Sequence, residues 1–180
     1  MKPIGPLMVE HRLTDRMLDL IRQEILALRS GTIAVDISFA GRVVDFFRTY
    51  VDLCHHGKEE DILFKALAGK KMTSPHRRIM DELIEEHRTA RTIITGLKEA
   101  KDLHAGVTDR RSEIMAIYEK IVELYPPHIE KEDKHFFFPT LEYLSAEEQD
   151  RMLAEMLDFD ARLFHQRYTA LIEQLEAGRI

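Results

Sequence analysis

Two stretches of the chain, CHHGKEEDILF from Cys54 to Phe64 and PPHIEKEDKHFFFP from Pro126 to Pro139, repeat one arrangement of ligand-capable residues. A histidine is followed four residues on by a carboxylate, then by a second acidic residue and an apolar run: His55, Glu59 and Glu60 in the first, His128, Glu132 and Asp133 in the second. Residues four apart stack on one face of a helix, so each pair can aim an imidazole nitrogen and a carboxylate oxygen at one point. Imidazole and carboxylate without thiolate suit iron, manganese or zinc. One such pair alone is a commonplace helix-surface contact worth a few tenths of a kcal/mol. Whether they do chemistry therefore depends on what else shares the level of these pairs.

The elements that must position them are helical throughout, because apolar residues recur at three and four rather than two. Helix A spans about Leu7 to Arg29 and is closed by Ser30 and Gly31, and helix B runs from about Asp36 to Ala68, closed by Gly69. Helix C opens with Ser74 as N-cap and Pro75 at the first helical position, and reaches about His104. Helix D begins near Asp109 and is interrupted at Pro126 and Pro127, and a C-terminal helix over about 145–177 opens on a capping box of Ser145 and Glu148. The expected fold is all-α: one domain over 1–180, with a four-helix core over about 7–139 and the additional C-terminal helix.

On these helices the histidines fall on apolar stripes. His11 shares a face with Met8, Leu18, Ile21 and Ile25, and His87 with Met80, Leu83, Ala90 and Ile94. His128 continues the face of Ile114, Ile117, Ile121 and Leu124. In helix B, His55 sides with Val44, Val51, Glu59 and Ile62, whereas His56 follows Asp45, Thr49 and Asp52 and is backed by Glu60. The reading takes His55 with Glu59 and keeps His56 with Glu60 as the alternative register. At roughly 1.5 Å per residue, His11 and His55 lie equally far from their turn, as do His87 and His128 from theirs. Two antiparallel hairpins thus bring four histidines and two carboxylates to one level, and Glu-His-Arg at both 10–12 and 86–88 makes the chain look like a duplicated hairpin.

A lone histidine on an apolar stripe is more often a hydrogen-bonded core residue. Several imidazoles and two carboxylates together would cost many kcal/mol to bury without counter-charge, and no Lys or Arg occupies the inward positions on these stripes. A cation answers that cost. Six or more ligands exceed the four of a structural zinc, while two carboxylates can bridge a pair of metals.

The ordered set His11, His55 with Glu59, His87 and His128 with Glu132 resembles the hemerythrin-like, or HHE cation-binding, family over roughly Leu7 to Pro139. The resemblance implies an up-down four-helix bundle holding two iron ions between two carboxylate bridges and terminal histidines, with manganese or zinc as other occupants. It also implies dioxygen or nitric oxide as the small ligand, in binding, sensing or iron handling. The alternative is a di-iron enzyme that reduces nitric oxide or peroxide or repairs iron centres. The chain departs from the oxygen carriers at Arg91, four residues after His87, where they resemble a second histidine. His165, on a face with Leu157, Ala161, Phe164, Tyr168 and Ile172, is the candidate for the missing ligand. Asp133 competes with Glu132, but five residues rotate away from the face that four preserve. His76, His104 and His135 lie near helix ends or loops and read as solvated.

Composition excludes other classes. The net charge of −6 arises from 26 basic and 32 acidic side chains mixed along the chain, with no basic stripe for nucleic acid. A single cysteine precludes an intrachain disulfide. No apolar run nears the roughly 20 residues of a membrane span, and the opening MKPIGPLMVEHR has no long apolar core, so the expected location is cytoplasmic, with no membrane partner. A ferritin-like bundle would need ExxH on two helices, and Glu132 to His135 is the one clear case.

Overall fold

The computed structural model describes residues 2–104, 109–160 and 164–178, and its described elements are helices with no strand among them. Helix α1 (Ile4–Arg29) ends where Thr32 N–H donates to Ala27 O and Gly31 N–H to Leu28 O, with Gly31 at φ 72°. That paired closure needs a left-handed residue after the last turn, which is why a glycine stands there. Helix α2 covers 37–68 and starts at Asp36, whose side chain accepts from Phe39 N–H at 3.0 Å. It ends, as the sequence indicates, before Gly69.

Helix α3 (Ser74–His104) pairs with helix α4, which covers 111–140. Pro126 and Pro127 do not interrupt α4: the α-helical part runs unbroken from Arg111 to Lys131. Each proline removes a bond to the carbonyl four residues back. Those carbonyls belong to half-buried Val122 and exposed Glu123, on the side where water can satisfy them. Two further helices follow, α5 (Ala146–Asp160) and α6 (Phe164–Ala177), in the region read from sequence as one C-terminal helix; residues 161–163 lie outside the described residues. The capping box at the start of α5 forms, with Glu148 N–H donating to Ser145 Oγ and Ser145 N–H to Glu148 Oε2.

The apolar interior divides at the level of the histidines. One cluster, including Leu18, Ile21, Phe47, Tyr50, Leu97, Ile121 and Tyr168, fills one end; Leu7, Leu63, Leu83, Phe136, Phe137 and Met156 belong to the cluster that fills the other. Between them lies a polar layer. Both helices that carry an HxxxE pair leave α-geometry there: α2 is π-helical over Phe46–His56 and Glu59–Phe64, and α4 over Glu132–Phe136. Such wide turns recur at functional sites because they re-aim side chains without ending the helix.

Candidate metal centre

The polar layer is built from four helices. His11 from α1, His55, His56 and Glu59 from α2, His87 from α3, and His128 and Glu132 from α4 are all buried. Among the described residues, two groups offer ligand atoms within 4.8 Å of one another: His11, His55, Glu59 and Glu132, and separately His56, His87 and His128.

Glu59 and Glu132 stand between the groups. Glu59 directs Oε1 to His55 Nε2 at 3.5 Å and Oε2 to His87 Nε2 at 3.4 Å. Glu132 directs Oε2 to His11 Nε2 at 3.1 Å and Oε1 to His128 Nε2 at 3.3 Å. Neither carboxylate is exposed at all, and none of their four oxygens has a hydrogen-bond partner, nor do His87 Nε2 and His128 Nε2. Buried polar atoms left without partners cost free energy, and a cation among them supplies what they lack. The residues present therefore fit a metal.

The protons tell the same story. Burial and the facing Glu132 push Glu59 well above the ordinary carboxylate range. Burial acts on Glu132 too, but the imidazoles of His128, His11 and His87 hold it well below that range. Burial opposes charge on His11, yet its hydrogen bond to Asp133 and the negative charge of Glu132 beside it raise it to about 9. His55 is held down to about 4, first by burial and then by the neighbouring His11.

Behind the ligand-capable atoms runs an outer set of carboxylates. His11 Nδ1–H donates to Asp133 at 2.9 Å, His55 Nδ1–H to Glu10 at 2.8 Å, His87 Nδ1–H to Glu60 at 2.7 Å and His128 Nδ1–H to Glu86 at 2.8 Å. An ionised carboxylate can only accept, so each of these rings carries a proton on Nδ1 and turns Nε2 inward. Cations back the carboxylates in turn: Lys58 bonds Glu10, Lys131 bonds Glu86, and Arg91 Nη2 donates to Glu60 at 2.8 Å. Lys58, which lies on none of the apolar stripes, is wholly buried on the far side of Glu10.

The sequence reading is corrected in two places. The choice between His55 and His56 dissolves, because both are buried, at 3% and 1% exposure, on the π-helical stretch of α2. In an α-helix adjacent residues diverge by about 100°, and the wider turn lets both face the layer. His165 stands apart from both groups: its Nδ1 meets Tyr50 Oη at 2.6 Å on the apolar side. Glu60 and Asp133, the rival carboxylates, lie in the outer set. His76 pairs with Tyr143 Oη, His104 accepts from Arg110 N–H, and His135 is exposed.

Sequence reasoning held His56 only as an alternative to His55, and it missed the outer residues Glu10, Glu86, Lys58 and Lys131. A signal for the latter existed. Glu-His recurs at 10–11 and 86–87, and His-x-x-Lys-Glu recurs at 55–59 and 128–132, so each hairpin carries the same carboxylate, lysine and ligand-capable pair. The final acid of each repeat crosses over, Glu60 to His87 and Asp133 to His11.

No curated protein and no solved structure matches the chain. A family model, the hemerythrin HHE cation binding domain, matches residues 2–137, which hold every residue of the polar layer and most of the chain's length. An all-helical bundle, a buried layer of convergent imidazoles and carboxylates and that match agree, and the chain belongs to the hemerythrin HHE cation-binding family.

Proposed function

We propose that the polar layer holds two iron ions, one taken by His11 and His55, the other by His56, His87 and His128, with Glu59 and Glu132 bridging them, and that the protein binds or senses dioxygen or nitric oxide. The observation that carries this reading is the pair of buried carboxylates whose oxygens divide between the two histidine groups and lack hydrogen-bond partners. A single structural zinc would use about four ligands and leave the rest of this donor set unsatisfied. Iron would supply a redox-active centre able to take up a diatomic ligand.

The chain's own residues do three things there. Glu10, Glu60, Glu86 and Asp133 accept from four imidazole Nδ1–H groups and so orient four rings with Nε2 towards the layer. Lys58, Lys131 and Arg91 offset the outer carboxylates and limit the negative charge gathered around the layer. Phe137 stacks on His11 and Phe64 on His87, closing the layer against water from the end where the second apolar cluster lies.

Anaerobic iron loading followed by metal analysis tests the centre, and about two iron atoms per chain are expected. Stopped-flow spectra of the reduced, loaded protein mixed with dioxygen and then nitric oxide test the ligand, and a stable reversible adduct is expected. One tightly held zinc with no iron uptake overturns the dinuclear reading, and sustained consumption of nitric oxide overturns binding in favour of catalysis.

A further inference from the structure

The internal repeat gives a standard against which the two halves of the polar layer can be compared. If the hairpins were equivalent, the counterpart of His56 would be Ile129, that of Asp52 would be Tyr125, and that of Arg91, four residues after its histidine, would be Asp15. All three departures meet in one place. His56, Asp52 and Arg91 line a single cavity of about 200 Å³. Its floor is the His56 ring, which stacks on His87 with centroids 3.8 Å apart. Its apolar walls include Phe47, Ile94 and Tyr125, and exposed Arg48 stands on its solvent side.

The size and charge of this cavity define a ligand class. It has room for a solute several times the roughly 30 Å³ share of a water molecule. Arg91 is held by two carboxylates, its Nε donating to Asp52 at 2.7 Å and its Nη2 to Glu60 at 2.8 Å, which leaves Arg48 as the uncompensated cation at the cavity. Arg48 makes no ion pair with any described residue, so its charge is available to an incoming anion. His56 Nδ1, in a side chain 1% exposed, has no hydrogen-bond partner, and Asp52 Oδ1 is 3.5 Å from it.

We propose that this cavity is a binding and entry site for small monoanions, of the size of azide, nitrite or formate, through which they reach the layer at His56. The proposal rests on the two-metal reading. Where an exact repeat would give two alike positions, the chain has spent its three substitutions on one side: His56 adds a ligand-capable ring, Arg91 adds a guanidinium wall, and Asp52 holds Arg91 in place. Arg91 also reaches Glu60, the carboxylate on His87, so an anion that draws on Arg91 communicates with a second ring of the same group.

The probe is azide, followed by the absorption of its complex with the oxidised iron-loaded protein, with iron content measured on each sample. Thr95→Phe adds bulk at the exposed rim, and Ala90→Leu fills the cavity from a buried wall; each is expected to slow azide association about tenfold or more with iron content unchanged. Arg48→Gln is expected to slow it about tenfold at low salt and to remove most of its salt dependence. Xenon-pressurised crystals of metal-free protein report on the cavity alone: density between Phe47 and Ile94 is expected in the wild type and none in Ala90→Leu. A chain that takes up no metal overturns the proposal together with the two-metal reading. A chain that loads iron normally but whose azide rate ignores both Thr95→Phe and Ala90→Leu, or whose cavity admits no xenon, overturns the entry site alone. A rate unmoved by Arg48→Gln overturns its preference for anions.

Discussion

Lys58→Met isolates the cation behind the metal layer, and its counterpart Lys131→Met supplies the control. Lys58 is fully buried against Glu10, itself 2% exposed, and Glu10 in turn holds His55 Nδ1 at 2.8 Å. Methionine preserves the length and apolar stem but leaves the Glu10 carboxylate buried beside a ring that burial keeps largely neutral. Removing one partner of a buried pair costs about 3–5 kcal/mol, because the surviving charge loses its compensation. Lys131 and Glu86 make the same contact with 25% and 27% of their side chains exposed, where water screens the loss, so about 1 kcal/mol or less is expected. In a chain of this size the first change should lower the melting temperature by about 6–20 °C and the second by no more than about 4 °C. The assay is urea and thermal unfolding of metal-free protein in chelator, followed by circular dichroism. The double variant Glu10→Gln with Lys58→Met removes both charges while leaving an acceptor for His55, and should recover more than half of the loss. Equal losses for Lys58→Met and Lys131→Met, or a loss below about 1 kcal/mol for Lys58→Met, would refute the claim that burial sets the magnitude.

Further outcomes follow from the same geometry. Glu59→Gln and Glu132→Gln should each lower metal content towards one ion per chain with helicity kept, whereas Glu60→Gln and Asp133→Asn, in the outer set, should weaken affinity by about 10–100-fold without changing stoichiometry; metal analysis after loading decides between them. His56→Ala should reduce metal content, while His165→Ala, which loses only the Tyr50 contact, should not. Loaded protein with free metal at 1,000 times its Kd should be about 4 kcal/mol more stable than metal-free protein for one site, and coincident melts would contradict this. Ser145→Ala should cost about 1 kcal/mol through the lost cap of α5. Its partner Glu148 is held below its ordinary 4.5 by Lys70 and the Ser145 backbone, so the contribution of that carboxylate is present above 4.5 and fades as pH falls through its folded value, readable as a small loss of stability in acid.

The fold was legible from sequence because its signals are local. Gly31 at φ 72°, Asp36 capping Phe39 and the Ser145–Glu148 box mark helix ends with side-chain chemistry that depends on a few neighbours. Levels were legible too, since helical rise converts residue counts into length, and His11 Nε2 does meet His55 Nε2 at 3.0 Å. Pro126 and Pro127 misled because their effect depends on whether the freed carbonyls reach water, a matter of orientation in the bundle. His165 differs from the sequence reading for a related reason: an apolar face docks on whichever apolar surface it meets, and His165 lies against Tyr50, which packs with Phe46 and Tyr168.

The two adjacent histidines expose the limit of periodicity most plainly. An amphipathic stripe presumes about 100° per residue, so His55 and His56 compete for one inward position and the reading must discard one. A π-helical stretch changes the turn itself, and it does so over Phe46–His56, where the chain carries both imidazoles into the layer. No single residue in that stretch announces the change. What stabilises it is tertiary: His55 bonds Glu10 on α1, His56 stacks on His87 of α3, and the aromatic side chains Phe46, Phe47 and Tyr50 pack into the core on the same turns. The same logic explains why the wide turn of α4 falls at Glu132–Phe136, where Glu132 must face two histidine groups while Asp133 reaches His11 from outside. Where a sequence places two ligand-capable residues side by side on an otherwise regular helix, as His55–His56 and Glu132–Asp133 do, the economical inference is that the helix widens to use both.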